Sequence, residues 1–448
     1  MAGSDVSSAP SHEASGRGLG VLGDPVIGVL AFSNMSVMLG FGQILPLLPV
    51  LLVDRLNATA LEVSATVGAF AITRIFLQGP LGALSDRYGR KPFVTFPLLG
   101  YTLVSILYIF ANSTWMFIAI RGLQGVFSAS LWPVSDAIVM DVVEPRQRGR
   151  AVTSIQIAYT VGSVSGPFLG GVVASLYGLW AVFLLSAMMT AAAFVGASLL
   201  LKETAPSRVG ARADGASPDV RPRNMSPVRD ARDVLRRYPV LKKLAISALI
   251  WQSAPSLTMV FMPVYVTSVL GGSEFDVGML MGISGVMTMF GQYAAGSVGD
   301  RRGKWKVLLY SSWLGLATSP FLFLARDMST TYLIYPLSMV TMSLGQPMLT
   351  ALVGDALPLS ERGVGYGAYG VIRDTSMVVG SFLSGGAIQV LSDMFGLSVG
   401  QGVYYVFALR AAVIALAFFY VWRNVGAFKE IDAIVWMKQG VPSPPTKE

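Results

Sequence analysis

A repeat at a constant spacing constrains the fold of this chain more than any other feature of the sequence. At least eight residues of the first half have an identical residue 214 positions further on. One such match would carry no information, but eight at a single offset indicate two homologous halves. The matched pairs are Gly82 and Gly296, Asp86 and Asp300, Arg87 and Arg301, Gly89 and Gly303, Asp141 and Asp355, Arg148 and Arg362, Gly149 and Gly363, and Pro49 and Pro263.

The composition places both halves in a membrane. The 448 residues are 53% hydrophobic and 13% charged, whereas a soluble domain carries about 25% charged residues. A spanning helix uses about 20 apolar residues, and lipid offers no hydrogen-bond partner to an open backbone. We therefore predict an all-α membrane protein with twelve transmembrane helices in two pseudo-symmetric six-helix halves.

The apolar runs give the boundaries of the helices and of the larger units. The predicted helices are 25–53, 61–84, 93–111, 114–141, 150–176, 178–201, 241–270, 276–298, 306–325, 330–356, 364–391 and 402–424. The predicted units are an N-terminal tail (1–24), a first half (25–201), a linker (202–240), a second half (241–425) and a C-terminal tail (426–448). Within the last tail, Ala427–Met437 is predicted to be an amphipathic surface segment.

The loops sort by charge, and this predicts the orientation in the membrane. Basic residues crowd into the turns after helices 2, 4, 8 and 10, whereas the alternate loops hold little beyond Arg55 and Arg326. By the positive-inside rule, both termini are cytoplasmic. The net charge of +8 is then a signal of topology, and we expect no nucleic-acid partner. We predict a multi-pass protein of the inner (plasma) membrane.

The residue inventory argues against an enzyme. There is no cysteine, and the single histidine, His12, lies in the polar N-terminal tail. Thiolate chemistry, clustered-histidine metal sites and histidine-based catalysis are therefore not expected. We predict no enzymatic activity, no metal and no cofactor.

The turn after helix 2 reads Gly-Ala-Leu-Ser-Asp-Arg-Tyr-Gly-Arg-Lys-Pro over positions 82–92, and a weaker copy follows helix 8. These turns resemble those of the major facilitator superfamily, and more narrowly of its twelve-helix drug:proton antiporters, over roughly residues 25–425. In that family the acid of the turn braces the other half, and a basic residue after it pairs with an acid at the end of helix 4. The resemblance implies a conformational switch; the alternative is a static salt bridge that sets topology only. The implied residues are Gly82, Asp86, Arg87, Gly89, Arg90, Lys91, Asp141, Asp300 and Arg301.

Helix 5 carries a second motif. Small residues at G-x-x-x-G spacing share one helix face and allow close contact between helices, and a proline within the run removes a backbone donor. The pattern resembles the antiporter motif of exporters, although Thr153 replaces a glycine of its longer form; the alternative is a generic packing face. The residues are Gly162, Gly166, Pro167, Gly170 and Gly171.

Charged residues inside spanning helices are the candidates for proton coupling. Such a residue costs about 2.5 kcal/mol or more to insert and marks function by default. Asp374, beside Arg373 in helix 11, is the predicted proton carrier, and Asp136 in helix 4 is the reserve. Arg121 lies in an R-x-x-Q-G run that the resemblance links to proton transfer. The alternative for Arg373 and Asp374 is a structural ion pair within the bundle.

The resemblance also implies a central cavity lined mainly by helices 1, 4, 7 and 10. Aromatic and amide side chains on these helices suit loose apolar binding with few polar anchors. The predicted substrate-binding residues are Asn34, Gln43, Trp132, Trp251, Gln252, Tyr265, Tyr335 and Gln346.

Together these features predict a monomeric exporter of a small organic molecule, driven by inward proton flow through alternating access. Its expected partners are the small-molecule substrate, protons and the lipid bilayer. Two alternatives stay open. One is a proton-coupled importer of an organic acid or sugar, which the excess of positive charge in the spanning helices favours. The other is a membrane receptor or sensor that binds without transporting.

Overall fold

The computed structural model describes residues 25–144, 147–203, 232–233, 235–358 and 362–438, with side chains omitted at 362–364 and 434–438. The N-terminal tail, most of the linker and the end of the C-terminal tail lie outside this part of the chain. The first half consists of six long helices. They are α1 (Pro25–Leu56), α2 (Ala60–Tyr88), α3 (Pro92–Phe110), α4 (Thr114–Val142), α5 (Arg148–Tyr177) and α6 (Leu179–Leu200).

The second half has the same order but more interruptions. Its helices are α7 (Pro239–Met259), α8 (Met262–Ser268), α9 (Glu274–Arg302), α10 (Lys304–Thr318), a 3-10 helix (Ser319–Leu324), α11 (Met328–Ser343), α12 (Gly345–Asp355), α13 (Arg362–Phe395), α14 (Val399–Arg423) and α15 (Val425–Lys438).

These helices form twelve membrane spans. Spans 1 to 6 are α1 to α6, span 7 is α7 with α8, span 8 is α9, and span 9 is α10 with the 3-10 helix. Span 10 is α11 with α12, span 11 is α13 and span 12 is α14. Ten of them are long and apolar enough to cross a membrane by length and composition, and α4 and α9 have 29 residues each. The prediction of twelve transmembrane helices in two six-helix halves is confirmed.

The repeat governs where the helices begin. Spans 2 and 8 begin 214 positions apart, at Ala60 and Glu274, and a capping box closes the start of each. In these boxes, the hydroxyl of Thr59 or Ser273 accepts a backbone N–H, and the acid three residues later bonds back to the cap. The same offset relates the starts of spans 1 and 7, spans 4 and 10, and spans 5 and 11.

Spans 7, 9 and 10 are interrupted, although the sequence predicted continuous helices there. Proline explains two of the breaks, because it cannot donate to the carbonyl four residues earlier and its ring clashes with that carbonyl. Pro263 lies four residues after Met259, where α7 ends, and Pro347 lies four residues after Ser343, where α11 ends. The first-half counterparts, α1, α3 and α4, are each a single helix.

The two halves meet at one end of the bundle. We call the end where α1 begins and α14 ends the basic end, and the other end the opposite end. Near the opposite end, the Ser64 hydroxyl of α2 donates to the Ser381 carbonyl of α13 at 2.7 Å, and Ser268 of α8 donates to Asp54 of α1 at 3.2 Å.

Towards the basic end, α2 of the first half and α13 of the second half lie further apart. Gly82 lies five turns from Ser64 on α2, yet a Cβ placed there would meet no atom within 4 Å. Gly367 lies nearer the basic end of α13 and is equally free of neighbours. The contacts between these helices therefore lie towards the opposite end, and we interpret the bundle as closed there and open at the basic end.

The glycines of the α5 motif allow this helix to pack closely against α1 on one side and against α9 on the other. Gly162, Gly166 and Gly170 face α1, where a Cβ would approach the backbone near Met35, Leu39 and Gln43. Gly171 points the other way, and its Cβ would lie 2.7 Å from the Glu274 carbonyl oxygen and 2.8 Å from the Gly278 Cα. Gly171 thus holds span 5 against span 8 of the other half.

We predict that Gly171→Ala opens the opposite end. Overpacking costs about 1–3 kcal/mol, so closure should become about tenfold less favourable. The chain has no cysteine, so an Asp54→Cys/Ser268→Cys pair reports closure through cross-linking by a short thiol reagent. The control is Gly196→Ala, whose Cβ would meet nothing within 4 Å. Equal cross-linking in the two variants would contradict the role of Gly171.

Candidate functional site

The predicted charge cluster of the first half assembles at the basic end. The Arg90 guanidinium lies between two carboxylates, with Nη2 3.3 Å from Asp86 Oδ1 and Nε 2.6 Å from Asp141 Oδ2. Asp86 keeps 55% of its side chain exposed. Arg90 therefore connects the turn after span 2 to the end of span 4. About half of the Asp86 side chain stays exposed and is available for a further contact.

A carboxylate that sequence reasoning missed completes this turn. Glu203, just after α6, accepts hydrogen bonds from the backbone N–H groups of Arg90 at 2.6 Å and Lys91 at 3.3 Å. These donors stand at the start of α3, where helical N–H groups lack an internal partner. Gly89 has φ +106°, and a Cβ there would collide with the Glu203 carboxylate. Glycine is therefore required at this position.

The second half repeats the arrangement with a different cation. Lys304 pairs through Nζ with Asp355, and its backbone N–H donates to Asp432 Oδ2 at 2.8 Å. The predicted cation, Arg301, is exposed together with Asp300, and neither forms an ion pair within the described residues. The offset explains this correction, because Lys304 is the counterpart of Arg90, whereas Arg301 is the counterpart of the exposed Arg87.

Asp432 comes from α15, the amphipathic helix that follows span 12. Phe428 and Ile431 of α15 are buried in the second-half core, as the predicted amphipathic segment requires. Asp432 is buried beside them, and this burial raises its pKa although the Lys304 N–H and ammonium act against the shift. Each half thus has its turn capped by a carboxylate from the segment after its last span.

Three charged side chains meet at mid-depth between the halves. Arg74 of α2 approaches Asp374 of α13, with Nε 3.5 Å from Oδ2. Arg373 binds the other carboxylate oxygen at 3.3 Å from its own Nε. Asp374 is 12% exposed and Arg373 is 42% exposed. A cation exposed at mid-bilayer would be costly in lipid, so the free part of Arg373 faces the opening between the halves.

Further polar and aromatic side chains lie on spans 4, 5, 8 and 10. Trp132 and Asp136 are one turn apart on α4 and so share a face, and the Trp132 ring contacts Tyr159 of α5. Asp136 is exposed and forms no ion pair in the part of the chain that the structure describes. In the second half, Gln292 donates to Gln346 at 3.2 Å.

Most of the predicted cavity-lining residues do not face the opening. Of the eight, only Trp132, Gln252 and Gln346 are partly exposed. The others are buried between spans of their own half: Asn34, Gln43, Trp251, Tyr265 and Tyr335. Their helices are the expected ones, but these side chains lie on the faces that pack within a half. Trp251, for example, donates from Nε1 to the Met342 carbonyl at 3.1 Å.

Arg121 lies within the first half, away from the opening. Its guanidinium donates to Gln124 Oε1 at 2.8 Å and to the Thr66 carbonyl at 3.3 Å. It also stacks on the rings of Phe41 and Phe70, 5.2 and 4.7 Å from their centroids. Aromatic faces attract cations, so these rings stabilise a charge that has no carboxylate partner among the described residues.

A second buried arginine was missed by sequence reasoning. Arg410, near the middle of α14, is 1% exposed and bonds to Ser338 of α11. A charged residue within an apolar span is itself a signal, and α14 contains one at this position.

A twelve-span bundle of two halves, open at one end and bridged at mid-depth by an ion pair, is typical of membrane transporters. The family model described as Major Facilitator Superfamily matches residues 30–381. The chain belongs to this superfamily.

Relatives and solved structures agree with this assignment. The chain is 26% identical to the multidrug resistance protein MdtG of Proteus mirabilis over 405 residues, covering 86% of this chain and 91% of that protein. It is 27% identical to MdtG of Escherichia fergusonii over 414 residues, covering 87% and 92%. Its fold is similar to an inward-facing bacterial homolog of the human lysosomal transporter Spinster, with TM-score 0.70 at 13% identity, covering 91% and 98%.

We predict that Glu203→Ala destabilises the first half. Loss of a helix cap costs about 1 kcal/mol, so the melting temperature in detergent should fall. Glu203→Gln, which keeps an acceptor oxygen, should lose less. The control is Glu144→Ala, an exposed acid near the same end of the bundle. Melting temperatures that match the control in both Glu203 variants would exclude a capping role.

Proposed function

We propose that the chain exports a small organic molecule in exchange for protons. The observation that carries this proposal is the Arg74–Asp374 ion pair, which joins span 2 of one half to span 11 of the other at mid-depth. A titratable acid within an interface between moving halves couples its protonation to their separation, because a neutral carboxyl loses the attraction to arginine.

The direction of coupling follows from the state of the bundle. With the basic end in the cytoplasm, the structure is inward-open, and Asp374 lies 3.5 Å from Arg74 and 3.3 Å from Arg373. This is the proton-released state, ready to accept substrate from the cytoplasm. After outward opening, a proton from outside neutralises Asp374, favours substrate release and returns the halves. In this scheme Asp136 is the reserve proton site and Arg121 modulates the transfer.

In this proposal, the turns at the basic end determine which end of the bundle is open. In the inward-open bundle, Arg90 and Lys304 hold charges within their own halves. Asp86 is half exposed and is available to brace the other half once the basic end closes, as the family resemblance implies. Both termini then lie in the cytoplasm, and the protein works as a monomer in the inner membrane.

The similarity to two multidrug resistance proteins supports export. The two MdtG relatives are named multidrug resistance proteins, a name that describes those proteins. The glycine motif of α5 supports the same direction, since it resembles the antiporter motif of exporters.

One observation favours a second candidate, proton-coupled uptake of an organic anion. The mid-depth triad holds two cations and one carboxylate, and Arg373 keeps 42% of its side chain exposed. An anionic substrate at Arg373 would compete with Asp374 for the same guanidinium. Protonation of Asp374 removes that competitor, so proton and anion would bind cooperatively, as a symporter requires.

We predict that Asp374→Asn abolishes coupled transport. In inside-out vesicles with an imposed pH gradient, some members of a panel of cationic, neutral and anionic compounds should release protons with the unmodified protein only. The control is Asp393→Asn, which removes an exposed acid from the same helix. If Asp374→Asn responds to the compounds as the unmodified protein does, Asp374 does not carry the proton.

The pH dependence of binding separates the two candidates. In nanodiscs without a gradient, an antiported compound should bind more weakly as the pH falls, because proton and substrate oppose each other. A symported anion should bind more tightly as the pH falls, and Arg373→Gln should weaken it about tenfold or more, equal to about 1.4 kcal/mol. Tighter anion binding at low pH that depends on Arg373 would replace the export proposal with the uptake candidate.

A further inference from the structure

Arg410 is the buried charge that neither the triad nor the end clusters use. It is 1% exposed, and two of its guanidinium nitrogens donate to Ser338, at 3.4 Å to Oγ and 3.3 Å to the carbonyl oxygen. Its Nε has no hydrogen-bond partner, and no carboxylate pairs with it among the described residues. A buried, incompletely bonded charge in a spanning helix requires an explanation beyond packing.

Arg121 of the first half has the same unusual properties. It is 1% exposed, it forms no ion pair within the described chain, and its Nη2 lacks a hydrogen-bond partner. Its main acceptor is Gln124 of α4, and Ser338, the acceptor of Arg410, lies 214 positions after Gln124. The two arginines therefore bind equivalent positions of spans 4 and 10.

The arginines reach these positions from helices that are not equivalent. Arg121 comes from span 4 itself, whereas its counterpart in span 10 is Tyr335, 214 positions later. Arg410 comes from span 12 and interacts electrostatically with Tyr335. The second half has thus kept a cation beside this section of its central helix but carries it on a different span.

We propose that Arg410 is the second-half counterpart of the buried charge of Arg121, and that it acts as a positioning residue which fixes α11 so that span 10 bends only at its break. The break lies just beyond Ser343, five residues after Ser338. On the same side of the break, Trp251 of span 7 donates to the Met342 carbonyl. Together, Arg410 and Trp251 anchor α11 to spans 12 and 7.

The segment beyond the break connects the opening to the basic end. Gln346, at the start of α12, bonds to Gln292 of span 8. Asp355, at the end of α12, pairs with Lys304. If α11 is fixed, movement of α12 links the two contacts, so that occupancy of the opening alters the Lys304–Asp355 pair. This inference requires neither proton coupling nor a particular direction of transport.

Arginine suits this role better than lysine. A planar guanidinium donates from two nitrogens to the hydroxyl and the carbonyl of one serine, whereas an ammonium acts as a point charge. Arg410→Met should release α11, so that span 10 no longer bends at a single place. Arg410→Lys should give an intermediate result.

The experiment uses spin labels on the full-length protein, whose lack of cysteine removes background labelling. Ser297→Cys on span 8 and Ala351→Cys on α12 report the position of α12 by electron–electron distance measurement. We expect one narrow distance distribution in the parent and in the control Arg423→Met, an exposed arginine of the same helix. Arg410→Met should broaden the distribution and lower transport about tenfold. An unchanged distribution with only a lower melting temperature would overturn the proposal.

A relocated charge tests the equivalence directly. Arg410→Met combined with Tyr335→Arg puts the arginine on span 10, at the position that corresponds to Arg121. We expect this double variant to recover a narrower distribution and part of the lost transport. A folded double variant as impaired as Arg410→Met would contradict the equivalence. Should the double variant not fold, Arg410→Lys decides, because a distribution as broad as that of Arg410→Met would exclude a role for the buried charge.

Discussion

The structure depends on the high cost of an unsatisfied polar group in lipid. Where a span is continuous, its backbone groups bond within the helix. Next to one of the breaks, another span supplies a donor. Met342, next to the break in span 10, receives the indole N–H of Trp251. Breaks are therefore tolerated in the second half because its packed interior, unlike the surrounding lipid, supplies hydrogen-bond partners.

The same cost sorts the charged side chains into three environments. Charges at the basic end pair across the ends of helices and are capped by Glu203 and Asp432. The mid-depth charges face the opening, where water is available. Arg121 and Arg410 lie inside the halves, where aromatic rings and neutral acceptors replace carboxylates. The first two groups can gain or lose a partner as the halves move, whereas the third stays within one half.

The sequence predicted the parts of the fold that repeat. The constant offset indicated the two halves, and the family resemblance of the charged turn implied that Arg90 pairs with Asp141. It did not predict which prolines break a span: α1 contains Pro46 and Pro49 and stays continuous, whereas span 7 ends a helix before Pro263. Local sequence alone does not determine this, since the outcome depends on neighbouring spans.

The sequence also did not predict which way the side chains on the spanning helices point. Helices 1, 4, 7 and 10 have apolar residues on every side, so no periodicity showed that Trp251 and Tyr335 face inward to their own half. Glu203 and Asp432 were missed because their partners are backbone N–H groups, which leave no mark in a residue pattern. Lys304 could have been found by applying the offset to Arg90.

Two halves built on one repeat have become mechanically different. The first half keeps spans 1, 3 and 4 as single helices, whereas spans 7, 9 and 10 are each interrupted. A continuous helix moves as a rod, but a helix broken at Leu344 can move α12 while α11 stays in place. The anchoring of α11 by Arg410 and Trp251 is needed only in a half that bends. In this proposal, the buried arginine of span 12 restrains the part of span 10 that stays in place.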